Sequence, residues 1–259
     1  MFNTLTKFAT NDELVQSLNE SVISDVSDVS DVSDVSDVSD VTKDVMKQVN
    51  RRNFINDWSH YLIDKPQRIM KEMVKTDLDR TTLENQTISA PTMHANAIEY
   101  LKNSLRKGAK VLDVGSGSGY LTVCFAKMVH DKRILFDDGG VKGQGKVIGI
   151  DVHPELIEYS QKILDEKYPL EKPIVTFQVG SAYDFYEDHL EEYFDAINVG
   201  ATALELPLNL VRLLKKGGQM VIPLKRFDGS EIFTLVEKDM NGNVIKKELM
   251  NVVYVPLVK

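Results

Sequence analysis

The sequence predicts a doubly wound, mostly parallel α/β sheet that ends in antiparallel strands. Three observations carry that expectation. Short apolar strands alternate with helical stretches from Lys110 onward. The first of those strands runs straight into a glycine-rich turn at Gly115. Beyond Gln219 the strands follow one another with no helix between them.

The elements follow in chain order. Thr10 to Glu20 and Thr42 to Gln48 read as small helices ahead of the sheet. Lys110–Val114 is the first strand, and Tyr120 to Val129 has helical composition. Lys146–Asp151 is the second strand, followed by a helix from Pro154 to Lys167 with proline in its first turn. Ile174 to Val179 and Phe194 to Val199 are the third and fourth strands. Leu206 to Leu214 reads as a helix stopped by Lys216-Gly217-Gly218, a C-cap signal. Gln219 to Leu224, Ile232 to Glu237 and Asn251 to Leu257 complete the strands. A hairpin turn is expected at Met240-Asn241-Gly242-Asn243.

Composition narrows the function classes. A chain of 259 residues, 42% hydrophobic and 27% charged, suits one sizeable soluble domain with appendages. The net charge of -8 argues against broad binding to a nucleic-acid backbone. No apolar run has the length of a membrane span, and the first seven residues lack the layout of a signal peptide. The single cysteine, Cys124, precludes an internal disulfide and fits a reducing compartment.

Much of the charge lies in one segment. Ser24 to Val41 is six perfect Ser-Asp-Val triplets, and removing them leaves 33 acids against 31 bases. A period of three matches neither strand nor helix, so the segment reads as a disordered acidic insert.

The glycine turn, Val111-Leu112-Asp113-Val114-Gly115-Ser116-Gly117-Ser118-Gly119-Tyr120, is the central site signal. A dinucleotide fingerprint is GxGxxG; here the third glycine comes one residue early. Asp113 precedes the loop, and Asp151 stands at the tip of the next strand. Such a pattern suits a sulfonium amino acid carrying no phosphate: one carboxylate for its cationic end, another for its ribose hydroxyls. The spacing is characteristic of S-adenosylmethionine-dependent methyltransferases, which makes the expected fold a Rossmann-like class I methyltransferase.

Upstream lies Gln86-Thr87-Ile88-Ser89-Ala90-Pro91-Thr92-Met93-His94-Ala95. It closely resembles the T-I-S-A-P-H-M-H-A signature of the protein-L-isoaspartate (D-aspartate) O-methyltransferase family, eukaryotic type. Gly108 to Lys110, Cys124 to Val129, Gly145 to Asp151, Phe194 to Ala201, Leu214 to Pro223 and Leu249 to Leu257 are similar to that family as well. Asn11 to Ile23 resembles its first helix. Val49 to Phe54 and Tyr61 to Gln67 echo its V-D-R and Y-x-D-x-P-Q pieces. The resemblance omits the repeat, a stretch near Met70 to Arg80, and the loop Asp137 to Gly143.

The resemblance implies methyl transfer from S-adenosyl-L-methionine to the free carboxylate of L-isoaspartyl residues in damaged proteins and peptides, which starts their repair. It implies Ser89 as the active-site serine, and Thr87, Ile88, Ser89 and His94 as the loop against donor and acceptor. It also implies a donor site of Asp113, Gly115, Ser116, Gly117, Gly119, Asp151, Ser181 and Ala182, with no metal. Residues 1–100 would then carry the helical, substrate-loop region and 101–259 the donor-binding domain. A cytoplasmic monomer without nucleic-acid or membrane partners is expected.

Three departures from the family stand out. Thr92 replaces the first histidine of the signature, Ser181 replaces an aspartate expected beside the adenine, and eukaryotic members continue past the position of Lys259. Two other readings therefore stay open: a methyltransferase with a different acceptor, and a catalytically silent binding relative. Donor binding and an acceptor screen separate them.

Overall fold

The structure is a computed structural model that describes residues 7–18, 38–55, 65–69, 86–131 and 144–259. The glycine-rich loop Asp137 to Gly143, the stretch near Met70 to Arg80 and most of the Ser-Asp-Val repeat lie outside those residues. The chain separates into two compact units, Met1–Glu99 and Tyr100–Lys259.

In the first unit, α1 (Asn11–Gln16) starts with a capping box: the Thr10 side chain accepts from the Glu13 amide, and Glu13 reaches back. Helix α2 (Asp40–Gln48) is joined to α1 by Asn11, whose Nδ2 donates to Met46 O at 2.9 Å. A 3-10 turn spans Arg51–Phe54. The short strands β1 (Gln67–Arg68) and β2 (Thr87–Ile88) pair antiparallel, and α3 (Pro91–Leu101) follows.

The start of α2 corrects the reading of the repeat. Val38 is 2% exposed, Ser39 is the N-cap, and Asp40 and Val41 are already helical. Glu99 supplies the reason. Its carboxylate accepts from the Ser39 amide at 2.9 Å, from Ser39 Oγ, and from Thr42 Oγ1. A buried anion at a helix N-terminus meets unpaired amides and the positive dipole end. The last triplet is thus the helix start, and only residues 24–37 remain as the candidate spacer. Deleting 24–37 should leave the melting temperature nearly unchanged. Extending the deletion through Val41 removes the cap and a buried valine, together about 2–4 kcal/mol, and should lower it by several degrees. Equal melting of the two deletions would refute the capping role.

The second unit is a seven-stranded sheet of order β5-β4-β3-β6-β7-β8-β9. Its strands are β3 (Lys110–Val114), β4 (Lys146–Asp151), β5 (Val175–Val179), β6 (Phe194–Val199), β7 (Leu214–Lys225), β8 (Glu231–Lys238) and β9 (Val244–Val252). β3 through β7 pair in parallel, and β7-β8 and β8-β9 pair antiparallel. β3, β4 and β6 are buried along nearly their whole length, which is why they read as mainly apolar runs. Helices α4 (Tyr120–Val129) and α5 (Pro154–Lys167) pack on the β3-β4-β5 half, and α6 (Leu208–Leu213) packs on β7. Every residue of α4 except Lys127 is buried, so it is a core helix rather than a surface one.

Two local expectations are corrected. The glycines after α6 do not cap it: the C-cap is Leu214, in extended conformation at φ −73° and ψ 129°. Gly217, at φ +77°, instead serves an irregularity of β7, where Phe194 pairs with Leu214 but Ala196 pairs with Gln219. The last strand also begins earlier than expected. The turn after β8 leads straight into β9 at Val244, and Val253 to Leu257 lie beyond the strand. The charged run Lys246-Lys247-Glu248 concealed β9; it is tolerated because this is an exposed edge strand. The Val253–Leu257 segment is tied down differently, through amide bonds from Tyr254 to Glu231 Oε2 and from Leu257 to Thr202 O.

Candidate active site

β4 lies on one side of β3 and β6 on the other, so the order of the sheet reverses at β3. Parallel sheets open a crevice beyond the strand ends at such a point. The loop Gly115-Ser116-Gly117-Ser118-Gly119 fills this position, between β3 and α4. Its three glycines have φ of +71°, +53° and +83°, a region costly for other residues. A Cβ on Gly119 would lie 2.8 Å from both the Phe177 ring and Ser160 Cβ, so close packing also excludes one. The Gly115 and Ser116 amides donate to Ile150 O at 2.8 and 3.0 Å, stitching the loop to the end of β4. On the other side the Gly200 amide donates to Val114 O at 2.8 Å, and a Cβ on Gly200 would stand 3.0 Å from Gly115 O. The glycine positions at this strand end therefore present bare backbone.

Two carboxylates flank it. Asp113 is 1% exposed; one oxygen accepts from Thr122 Oγ1 and the other from Asn198 Nδ2 at 2.8 Å. Burial pushes its carboxyl up to about 6, against the lowering effect of those two hydrogen bonds. Asp151 accepts from the Gly117 amide with Oδ2 and from the His153 amide with Oδ1, each at 3.0 Å. Its carboxyl is also raised by burial, opposed by the same backbone donors.

The segment after β5 joins this group. The Gly180 amide donates to Asp151 O at 2.9 Å. Ser181 Oγ donates to Val258 O at 3.0 Å and accepts from the Tyr183 amide at 3.2 Å. Ala182 is 2% exposed within the core cluster beside Phe185, so only its backbone could serve a ligand.

In the first unit Thr87, Ile88 and Ser89 lie on and just after β2, and His94 lies in the first turn of α3. Thr87 is exposed, Ile88 is buried and Ser89 is half-buried. The Ser89 carbonyl accepts from Arg51 Nη2 at 2.8 Å. His94 is 6% exposed, with Nδ1 at 3.3 Å from Arg51 Nη1. Burial, with the neighbouring guanidinium, holds the ring well below its usual pKa, so His94 is neutral near pH 7. The predicted residues thus form two groups, one in each unit. Sequence reading missed Thr122 and Asn198, which fix Asp113, and Arg51. Asn198 could have been found as a buried polar residue in the mainly apolar run Phe194–Val199; in register it stands opposite Asp113.

The donor chemistry expected from the sequence can be tested against these features. S-adenosylmethionine offers an ammonium group, a ribose diol and a sulfonium, and no phosphate. The strand ends offer a loop with bare backbone at three glycines and two carboxylates on adjacent strands. Residues and ligand fit, and the fold and site together define a Rossmann-like class I methyltransferase.

Comparison with known proteins agrees. A model of the family "Protein-L-isoaspartate(D-aspartate) O-methyltransferase (PCMT)" matches residues 33–259. A Caenorhabditis elegans protein-L-isoaspartate O-methyltransferase is 38% identical over 216 residues, covering 83% of each chain. Protein-L-isoaspartate O-methyltransferase 1 of Arabidopsis thaliana is 35% identical over 215 residues, covering 82% of this chain and 81% of the other. A Plasmodium falciparum structure, described as such an enzyme in complex with S-adenosyl-L-homocysteine, superposes with a TM-score of 0.74 at 30% identity. It covers 96% of this chain and 98% of that one. The chain belongs to the protein-L-isoaspartate (D-aspartate) O-methyltransferase family.

Proposed function

We infer that this chain transfers a methyl group from S-adenosylmethionine to the free carboxylate of L-isoaspartyl residues in proteins and peptides. The observation that carries the reading is the glycine loop with Asp113 and Asp151 at its flanking strand ends, in a chain matched by the family from residue 33 to 259. The donor supplies an electrophilic methyl on a sulfonium. A carboxylate oxygen forms the new bond to that carbon, the carbon–sulfur bond breaks, and its electron pair stays on sulfur.

The protein's share is positioning. A carboxyl group with a pKa of roughly 4 is already ionised near neutrality, so no general base is required. Anion and sulfonium neutralise one another as the methyl moves, and a water-poor site favours that change. Asp151 accepts the ribose hydroxyls, Asp113 faces the ammonium end, and the backbone of Ser181 and Ala182 borders the adenine. Ser89 orients the acceptor carboxylate through its hydroxyl, with Thr87, Ile88 and His94 shaping the loop against donor and acceptor. Residues 1–100 thereby carry the helical, substrate-loop region and 101–259 the donor-binding domain. Cys124, the one cysteine of the sequence, is buried, in keeping with a cytoplasmic setting; a monomer is the oligomeric state proposed. Among the described residues no helix is long and apolar enough to cross a membrane.

Asp113 makes this reading pH-dependent. Its carboxyl sits at about 6, so acidification below that value neutralises the charge facing the donor's ammonium. Affinity for S-adenosylhomocysteine, measured by calorimetry, should weaken as pH falls from 7 through 6 to 5. Asp113→Asn should bind weakly throughout and lose that dependence. A flat wild-type profile would contradict the assignment. The function as a whole is tested by methyl transfer to an isoaspartyl peptide and its aspartyl twin.

A further inference from the structure

Arg51 is fully buried, at 0% exposure, in the unit that carries Ser89. Its backbone amide donates to Asn11 Oδ1 at 3.1 Å, which fixes the residue against α1. Among the described residues its guanidinium reaches β1 and the residue two before it, Ser89, and the first turn of α3. Nε donates to Gln67 Oε1 at 3.3 Å on β1. Nη2 donates to Ser89 O at 2.8 Å and, more weakly, to Lys65 O at 3.4 Å. Nη1 lies 3.3 Å from His94 Nδ1. Since His94 is held neutral, that nitrogen can accept, and its proton then sits on Nε2.

We propose that Arg51 is a positioning residue for methyl transfer, setting the place of Ser89 by gripping its carbonyl together with β1 and the first turn of α3. The proposal rests on the reading of Ser89 as the group that orients the acceptor carboxylate. Ser89 stands between β2 and the helix that begins at Pro91, with one residue of slack on its C-terminal side. Its carbonyl carbon is bonded to its Cα. Holding that carbonyl at 2.8 Å, with β2 ending at Ile88 and the helix starting at Pro91, therefore restrains the backbone from which Ser89 Cβ and Oγ project. The Ala90 carbonyl is engaged on the other side, accepting from the Met93 and His94 amides. A planar guanidinium can serve acceptors in several fixed directions at once; a lysine ammonium offers a compact charge on a flexible stem. Lysine should therefore fail to replace Arg51 although the charge is kept.

A purely structural arginine and a positioning arginine differ in how they couple to Ser89. Turnover of an isoaspartyl peptide is compared for the wild type, R51K, S89A and the double variant, with melting temperatures recorded for each. R51K should lower kcat by about tenfold or more, because a displacement of about an ångström costs up to a hundredfold in such alignments. In the S89A background the same change should cost little, since the group it positions is gone. Equal fold losses in both backgrounds would overturn the proposal, as would full activity of R51K. An S89A variant with wild-type turnover would overturn it by a distinguishable route, by removing the reading of Ser89 on which it rests. If R51K does not fold, Q67L loosens the same guanidinium from one side only. A smaller loss of kcat that disappears in the S89A background supports the proposal, and a loss that persists there overturns it.

Discussion

Ser89→Ala is expected to lower methyl transfer to an isoaspartyl peptide by about 10- to 100-fold, or roughly 1.4–2.7 kcal/mol of transition-state stabilisation. Donor affinity should change little. The split follows from which partner the hydroxyl serves. Ser89 is half-buried, just past β2, and its main chain is held by Arg51, so the side chain is presented by a fixed backbone. The acceptor carboxylate is nucleophilic without help; what it lacks is a fixed orientation. One hydrogen bond to the non-reacting oxygen supplies it, and alanine removes that bond without adding bulk. Single-turnover kinetics with calorimetric donor binding measure both quantities. A loss of donor affinity as large as the loss of turnover would place Ser89 on the donor instead.

Asp151→Ala should weaken donor binding by about 1–3 kcal/mol, roughly five- to 150-fold, since a charged acceptor of hydrogen bonds is lost. Two effects add. On the proposed reading the ribose hydroxyls lose their acceptor, and the Gly117 and His153 amides lose theirs. The second effect reaches the loop itself, because Gly117 is one of the residues held in left-handed conformation. Asp151→Asn separates the contributions: its oxygen can still accept from one amide while the charge is gone. It should fall between wild type and alanine. Isothermal calorimetry with S-adenosylhomocysteine is the check, and an unchanged dissociation constant for the alanine variant would remove Asp151 from the ribose site.

Why some of this was legible in the sequence and some was not has physical causes. The strands β3, β4 and β6 were bounded correctly because a parallel strand buried on both faces is mainly apolar, and each run is followed by a turn or loop segment. Helix α5 was bounded correctly because proline marks its start. β9 was misplaced because an edge strand exposed to water carries no such pattern; Lys246 and Lys247 resemble loop residues until their pairing with Val236 and Leu235 is seen. Gly217 was misread as a cap because a positive φ serves a helix end and a bulge equally well. The repeat's last triplet was read as spacer because Glu99, which holds Ser39 and Thr42, lies about sixty residues away.

The same division holds for the site. Asp113, the glycine loop and Asp151 were visible because each is local to a strand end. Arg51 and Asn198 were not, since their roles depend on partners distant in sequence: Ser89 and His94 for one, Asp113 for the other.

The central claim is selective methylation of isoaspartyl residues. Isoaspartyl and aspartyl carboxylates have similar acidity, so intrinsic reactivity cannot distinguish them. Geometry can. Isoaspartate routes the main chain through the side-chain carbon and leaves the α-carboxylate on a shorter arm, so a site that grips the flanking backbone aligns one oxygen and misaligns the other. The direct measurement is transfer of radiolabelled methyl from S-adenosylmethionine to one isoaspartyl peptide and its aspartyl twin of otherwise identical sequence. One methyl group per isoaspartyl peptide, with little or none on the twin, is the predicted result. Equal labelling of the two peptides, or no labelling of either by a protein that binds the donor, would contradict it.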